Sequence, residues 1–485
     1  MAGNPITVRA TRRLASTPES SPGLSRGSGS GELFVLIGLA SFIAPFMSAA
    51  LNLAVPSIGL ELGVSAVAVS WIVTSYLIAT AALLLPFGRL GDALGRGRIF
   101  LAGVAVFTLA SLACAVSHSF VALLAWRVAQ AAGSAMLFGT SLAILVARVP
   151  AARRGRAVGI NTAAVYIGLS AGPVIGGVLV QRFGWRSVFV VCVVLGVLAV
   201  IGGVRVLGVR EAGAGGRAFA APDALLYTAG VAAFVTGAAT LRTWVPASGV
   251  MAGGAVALAG FAWLQGRRRD PLLDLRLFRD ATFAFSNLAA LLNYAATFAA
   301  SFLLSLYLQV VRGLPPRQAG VVLLIQPVLM ALISPLSGRL ADRVEPRVLA
   351  SAGMLVCAAG LVFCASFGPA TALGWVVLGL AMLGTGFAVF SSPNTSAVMG
   401  AVPRESQGVA AATLGTARML GQAASMAAVA LISAGIVGQL PLAAAGTVRM
   451  MTVHRLAFLL FAVLCVIGMV ASLARGRVHG ARPAN

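Results

Sequence analysis

The sequence predicts an all-α polytopic membrane protein, and three observations predict it. Of its 485 residues, 59% are apolar and only 10% charged, against about 25% charged in soluble domains. Apolar runs of about 20 residues, the length that crosses a bilayer as a helix, recur along almost the whole chain. No polar stretch that would serve as an interdomain linker follows residue 31. Helices follow from lipid itself, because a helix satisfies every backbone donor and acceptor internally.

Taken in order, residues 1–31 are rich in Ser, Gly, Pro and Arg and read as a disordered cytoplasmic tail. The run 33–55 is too long for a signal-peptide core and reads as a retained first span. Spans two to six are expected at 70–87, 99–117, 121–147, 157–180 and 187–209. A further pair follows at 223–241 and 248–265. Spans nine to fourteen are expected at 281–311, 318–336, 348–367, 371–395, 406–434 and 453–474, with a second tail over 475–485. If the N-terminus is cytoplasmic, tails and inner loops hold 26 of the 35 basic residues and outer loops only seven. That asymmetry obeys the positive-inside rule, and it predicts a multi-pass protein of the inner (plasma) membrane with both termini cytoplasmic.

Every one of the 35 basic residues is Arg, and the net charge is +23. In a soluble chain such a charge would point to nucleic acid. Here it is an orientation signal that also suits anionic lipid, so the bilayer is the expected partner and nucleic acid is not. Without Lys there is no P-loop, hence no bound nucleotide, and no lysine Schiff base. Cys114, Cys192, Cys357, Cys364 and Cys465 all fall inside apolar runs and read as small packing residues, while His118, His454 and His479 are scattered. No metal and no cofactor are expected. A membrane enzyme would show clustered His, Asp or Glu at one face; only the run from Asp270 to Asp280 comes close, and its Arg neighbours read as a surface helix. No enzyme is expected.

An internal repeat divides the chain. Gly88-Arg-Leu-Gly-Asp92-Ala-Leu-Gly95-Arg96-Gly-Arg98 follows span two, and Gly338-Arg-Leu-Ala-Asp342-Arg343-Val-Glu345-Pro346-Arg347 follows span ten. The separation exceeds what six spans and their loops need, and the surplus fits the pair at 223–241 and 248–265. The expected organisation is therefore a six-span bundle over 32–210, two inserted spans over 211–269 and a second six-span bundle over 270–474, an arrangement of transporters. Span four carries Arg127, Gln130 and Gly133, with 127 and 130 on one helix face. An Arg inside a span costs at least a few kcal/mol, so it faces the bundle interior or a cavity, or else snorkels to the outer surface. Span five carries Gly159, Gly168, Gly172, Pro173, Gly176 and Gly177, a bare helix face for close packing with a proline bend.

These motifs resemble the major facilitator superfamily. Gly88, Asp92, Gly95, Arg96 and Arg98 match its inner-loop signature, and the span-five glycines match the motif of its exporting branches. The stretches Phe46 to Pro56, Gly184-Trp185-Arg186 and Pro271 to Phe278 resemble the fourteen-span drug:proton antiporters, the EmrB/QacA branch. The resemblance covers residues 33 to about 474, and it implies a major facilitator fold of two six-helix bundles plus two central helices. It also implies that Gly88, Asp92, Gly95, Arg96, Arg98, Gly338, Asp342 and Arg343 form a conformational latch. An ordinary charged inner loop is the other reading of those residues, and the second copy, with Glu345-Pro346 in place of Gly95-Arg96, is the weaker latch. The departure is Met47, which stands where that branch carries its span-one Asp.

None of the twelve acids lies at mid-span, and Glu32, Asp92 and Asp223 are expected near water at the inner face. Proton coupling, which the resemblance implies, therefore lacks the buried carboxylate that burial would tune. The polar residues inside spans are the transport-pathway candidates: Asn52, Arg127, Gln130, Asn161, Tyr166, Asn293, Gln326, Asn394 and Arg418, with Tyr294 and Gln422 beside them. Phe42, Phe46, Trp71, Tyr76, Phe298 and Phe390 could line an apolar cavity. Any single one of these is more often interhelical glue than ligand. The function expected is a secondary active transporter that exports hydrophobic or amphipathic small molecules, as in multidrug or antibiotic efflux, working as a monomer. A proton-uncoupled or anion-exchanging carrier or importer of an organic acid is the alternative, because Arg127 and Arg418 are the charges within spans and neither is acidic.

Overall fold

Among the described residues of the computed structural model, fourteen segments are long and apolar enough to cross a membrane. The structure describes residues 28–149, 154–207, 219–268, 271–341, 343–403, 407–438, 440 and 446–476. Eight helices come first: α1 (Ser28–Glu61), α2 (Ala66–Leu94), α3 (Arg96–Ala115), α4 (Phe120–Arg148), α5 (Arg154–Phe183), α6 (Arg186–Leu207), α7 (Ala221–Thr240) and α8 (Ala247–Arg267). After them run α9 (Ala281–Leu306), α10 (Pro316–Leu323), α11 (Ile325–Ala341), α12 (Pro346–Ala365), α13 (Leu373–Gly400), α14 (Gln407–Ile436) and α15 (Thr447–Ala474). Residues 1–27 and 477–485, which hold most of the two expected tails, lie outside the described residues, and Ser28 to Gly31 already belong to α1.

Local chemistry explains the starts. Ser65 and Ser119 accept hydrogen bonds from the backbone N–H groups of Ala68 and Ala122, capping α2 and α4. Asp280 caps α9 by accepting from Phe283 N at 2.8 Å. Proline occupies the first turn of α7, α10 and α12, where its missing N–H costs nothing. The span expected over 318–336 is two helices, because Pro327 has no N–H to give the carbonyl four residues back at Leu323. The span expected over 281–311 closes on a π-turn, Tyr307–Val311, where Arg312 N bonds Tyr307 O at 2.9 Å. The surface helix expected after Asp270 is a short 3-10 turn over Leu275–Arg279, capped by the Asp274 side chain on Arg276 N. Helix α15 starts before the expected span, so Arg449 and Arg455 lie in its first turns, exposed, and not in a loop.

Within the first six helices, α1 packs on α5 and α6, and α4 packs on α2 and α3. Later in the chain, α12 packs on α13 and α15, α11 on α13, and α9 on α14 and α15. The two sets meet along α2–α14 and α5–α10. Helices α7 and α8 pair with each other, and α7 sits over the α2–α14 seam, where Tyr227 and Thr228 donate to the Ala81 and Ala82 carbonyls. The outward faces are apolar: α6 exposes Val190, Val194, Val197 and Ile201 in one helical stripe. At the arginine-rich end, Arg267 lies over the Trp263 ring at 4.0 Å, a pairing suited to a headgroup layer.

Candidate functional site

The first repeat motif is mostly helix. Gly88 to Leu94 form the last turns of α2, and the turn itself is Gly95 at φ 107°, a backbone conformation that an L side chain resists. Asp92 and Arg96 face each other across that turn, with Arg96 Nε and Nη2 both 2.7 Å from Asp92 Oδ1. Asp92 therefore pairs with the start of the next helix, α3. Arg89 reaches further: its guanidinium donates to the backbone carbonyls of Pro271 and Leu272, beyond the inserted pair. In the second copy, Gly338 lies in α11 against Ser392, and Arg343 bonds Leu340 O through its backbone N–H at 3.0 Å. Asp342 lies outside the described residues.

Arg127 is 1% exposed. Its Nε donates to Ile72 O on α2 at 3.0 Å, Nη1 donates to Gln130 Oε1, and the guanidinium stacks 4.2 Å from the Tyr76 ring centroid. Gln130 in turn donates to Ser111 Oγ on α3 at 2.7 Å. Gly133 lies one turn on, where an added Cβ would come within 2.5 Å of Phe107 N. The Arg-x-x-Gln-x-x-Gly spacing thus bolts α4 to α2 and α3 inside the first bundle.

The span-five glycines pave a seam. A Cβ at Gly168 would stand 2.6 Å from Phe42 O, one at Gly176 2.7 Å from Ala50 Cα, and one at Gly177 2.6 Å from Pro316 O. Gly172 lies against Phe46 and Ala49 of α1, and the Pro173 carbonyl lies against Gly320 of α10. Gly159 is also in α5. Across the same region Ser305 of α9 donates to Asn52 O of α1 at 2.7 Å. The two halves are therefore pressed together at the end away from the arginine-rich loops. Met47 is 1% exposed, and its Sδ accepts a weak hydrogen bond from the Cys192 thiol at 3.4 Å.

Toward the arginine-rich end a set of half-buried polar and aromatic groups converges. Tyr166 of α5 shares a hydrogen bond with Ser334 of α11 at 3.3 Å, and Asn161 accepts from Ser41 of α1 at 2.6 Å. Arg418 of α14 donates to Thr395 of α13 at 2.6 Å and lies 5.6 Å from the Tyr294 ring on α9. Tyr294 stacks edge-on against Phe387, and Phe42 stacks on Phe46. Trp71, Phe298 and Gln422 are half-buried as well. Asn52, Gln130, Asn293, Gln326, Asn394 and Phe390 are buried: Gln326 accepts from Ser301, and Asn394 donates to Ser286 O.

Three polar clusters escaped the sequence reading. Asp223, expected near water, is 1% exposed: Gln265 Nε2 donates to Oδ2 at 2.9 Å, and Arg268 forks onto both oxygens. Its partners stand more than forty residues along the chain, so no local signal marks the pair. Gln265 also accepts from Leu272 N at 2.6 Å, tying this cluster to the carbonyls that Arg89 holds. At the opposite end Glu61 accepts from Trp185 Nε1 at 2.7 Å and Arg186 at 2.6 Å, which explains the Gly184-Trp185-Arg186 stretch. Arg475 is fully buried, donating to Asn394 Oδ1 and Ser286 Oγ, and burial pulls its guanidinium down to about 10 although Glu345 nearby holds it up. Among the described residues no group of three or more His, Cys, Asp or Glu could hold a metal.

Comparison with known proteins agrees with this architecture. Residues 37–426 match the Major Facilitator Superfamily family model. The riboflavin transporter RibZ of Clostridioides difficile is 31% identical over 394 residues, covering 80% of this chain and 85% of RibZ. The multidrug resistance protein Stp of Mycobacterium tuberculosis is 34% identical over 398 residues, covering 80% of this chain and 74% of Stp. A crystal structure of a bacterial homologue of the human lysosomal transporter Spinster, inward-facing and unoccupied, superposes with TM-score 0.66 at 15% identity, over 93% of this chain and 98% of that one. Fourteen apolar helices, the paired repeat and these likenesses together establish that the chain is a multi-pass transporter of the Major Facilitator Superfamily.

Proposed function

We propose that the protein is a secondary active exporter of hydrophobic or amphipathic small molecules, of the fourteen-span drug:proton antiporter branch. The observation that carries this reading is the glycine-paved seam of α5 on α1 and α10, built from the motif that exporting branches share. Such a seam lets two halves close tightly at one end, while the half-buried Tyr166, Tyr294 and Arg418 lie toward the other. The relative Stp, named for multidrug resistance, supports the same reading. The arginine-rich end faces the cytoplasm in this proposal, with both termini there, and the protein works as a monomer in the plasma membrane. The halves are 32–210 and 270–474, with 211–269 inserted between them. The latch is Asp92–Arg96 at the α2–α3 turn, with Asp342 and Arg343 as its weaker counterpart. Expression in a strain stripped of its own efflux pumps, followed by a toxicity panel of amphipathic compounds, tests it. Raised resistance to part of the panel is expected; unchanged tolerance to every compound at confirmed membrane expression refutes export.

A further inference from the structure

Arg127 and Arg418 are both held deep in the protein, but the fold treats them differently. Arg127 is caged by a carbonyl, an amide and a ring. Arg418 is half-buried and makes one hydrogen bond among the described residues, to Thr395. Its Nε is buried with no partner, and Nη1 takes none either. Counting 1.5 Å per residue, Arg418, Tyr294 and Tyr166 each lie about 16–20 Å along their helices from the arginine-rich end, so they share one depth. Among the described residues no carboxylate lies at that depth.

A guanidinium with spare donors at mid-membrane is costly, and evolution keeps such groups where something completes them. Its planar fork matches a carboxylate, sulfonate or phosphate through two parallel charge-assisted bonds. Beside it lies the Tyr294 ring, held edge-on by Phe387, and the Tyr166 hydroxyl enters from the other half of the molecule. We infer that the cargo is an aromatic organic anion, its acid group seated on the free edge of Arg418 and its ring against Tyr294. The inference rests on the exporter reading for direction only, since recognition at Arg418 is measurable as binding.

Fluorescein and rhodamine 123 share a xanthene ring system but carry opposite charge near neutral pH, which makes them matched probes. Fluorescence polarisation on the purified full chain in nanodiscs should show fluorescein binding at least about ten-fold tighter than rhodamine 123. In Arg418→Gln the affinity ratio should fall to about one. Arg418→Lys, which keeps the charge but loses the fork, should weaken fluorescein at least about three-fold, and it carries the test if the Gln variant does not fold. Equal affinity for the two dyes, binding of neither, or fluorescein affinity indifferent to both substitutions overturns the inference. Dye efflux from intact cells separates the two readings: fluorescein bound by Arg418 but never exported defeats the exporter reading alone. Rhodamine exported without any fluorescein preference in binding defeats the anion inference alone.

Discussion

Arg268 grips Asp223 with two bonds, Nη2 at 3.0 Å from Oδ1 and Nε at 3.2 Å from Oδ2, and only the arginine touches solvent. The asymmetry predicts which partner is harder to lose. Arg268→Ala strands a buried carboxylate and should lower stability by about 2–3 kcal/mol, whereas Asp223→Asn keeps the Gln265 contact and should cost about 1 kcal/mol. Thermal unfolding of the two variants in one detergent checks the order; a larger loss for Asp223→Asn would contradict it.

Gly176 leaves no room for a side chain against Ala50. Gly176→Leu should abolish transport at wild-type expression, because the seam between α1 and α5 must part by the width of the side chain. Gly249, with open space around its Cβ direction, is the control, and Gly249→Leu should transport normally. Comparable rates for the two variants would remove the packing argument.

Asp92→Asn should impair transport more than Asp342→Asn, since the first repeat keeps Gly95 and Arg96 and the second has neither. The Asp92–Arg96 pair is partly solvated, so its stability contribution is small, within about 1 kcal/mol. Transport rate at matched expression is therefore the measurement, and equal rates for the two variants would sink the latch asymmetry.

Arg127→Ala should reduce thermal stability by about 2–4 kcal/mol along with transport, because it orphans Ile72 O and Gln130 and leaves a void beside Tyr76. From sequence alone the residue faces the bundle interior, a cavity or the outer surface, and removing a cavity-facing cation would spare stability. A variant that melts like the wild type yet fails to transport would restore that view.

Transport should depend only shallowly on an imposed pH gradient at fixed membrane potential. Met47 stands where the proposed antiporter branch carries its acid and lies against Cys192, and among the described residues no acid sits at mid-span to gain or lose a proton. Proteoliposomes with the gradient varied alone provide the check. A steep, saturable response that vanishes in a single carboxylate variant would identify a coupling acid at a span edge.

The fold was legible because bilayer thickness writes itself into the sequence as apolar runs. Span ends were less legible where backbone chemistry, not hydropathy, decides them, as at Pro327 and the Tyr307 π-turn. Close-packing glycines were readable by spacing, since any partner must approach Gly172 and Gly176 closely. Pairs such as Asp223–Arg268 and Glu61–Trp185 were not, because each joins distant stretches that only the packed bundle brings together. The same holds for Arg127 and Arg418: alike in sequence, they differ in what surrounds them.

Arg89 holds the main chain at Pro271 and Leu272 through their carbonyl oxygens. Carbonyl oxygens persist through every substitution at those two positions, so the contact is blind to what evolves there. Correlated mutation, the usual trace of a long-range contact, would leave no record of this one. In this contact only the arginine contributes a side chain, so drift at residues 271 and 272 leaves the α2 terminus moored to the stretch after α8.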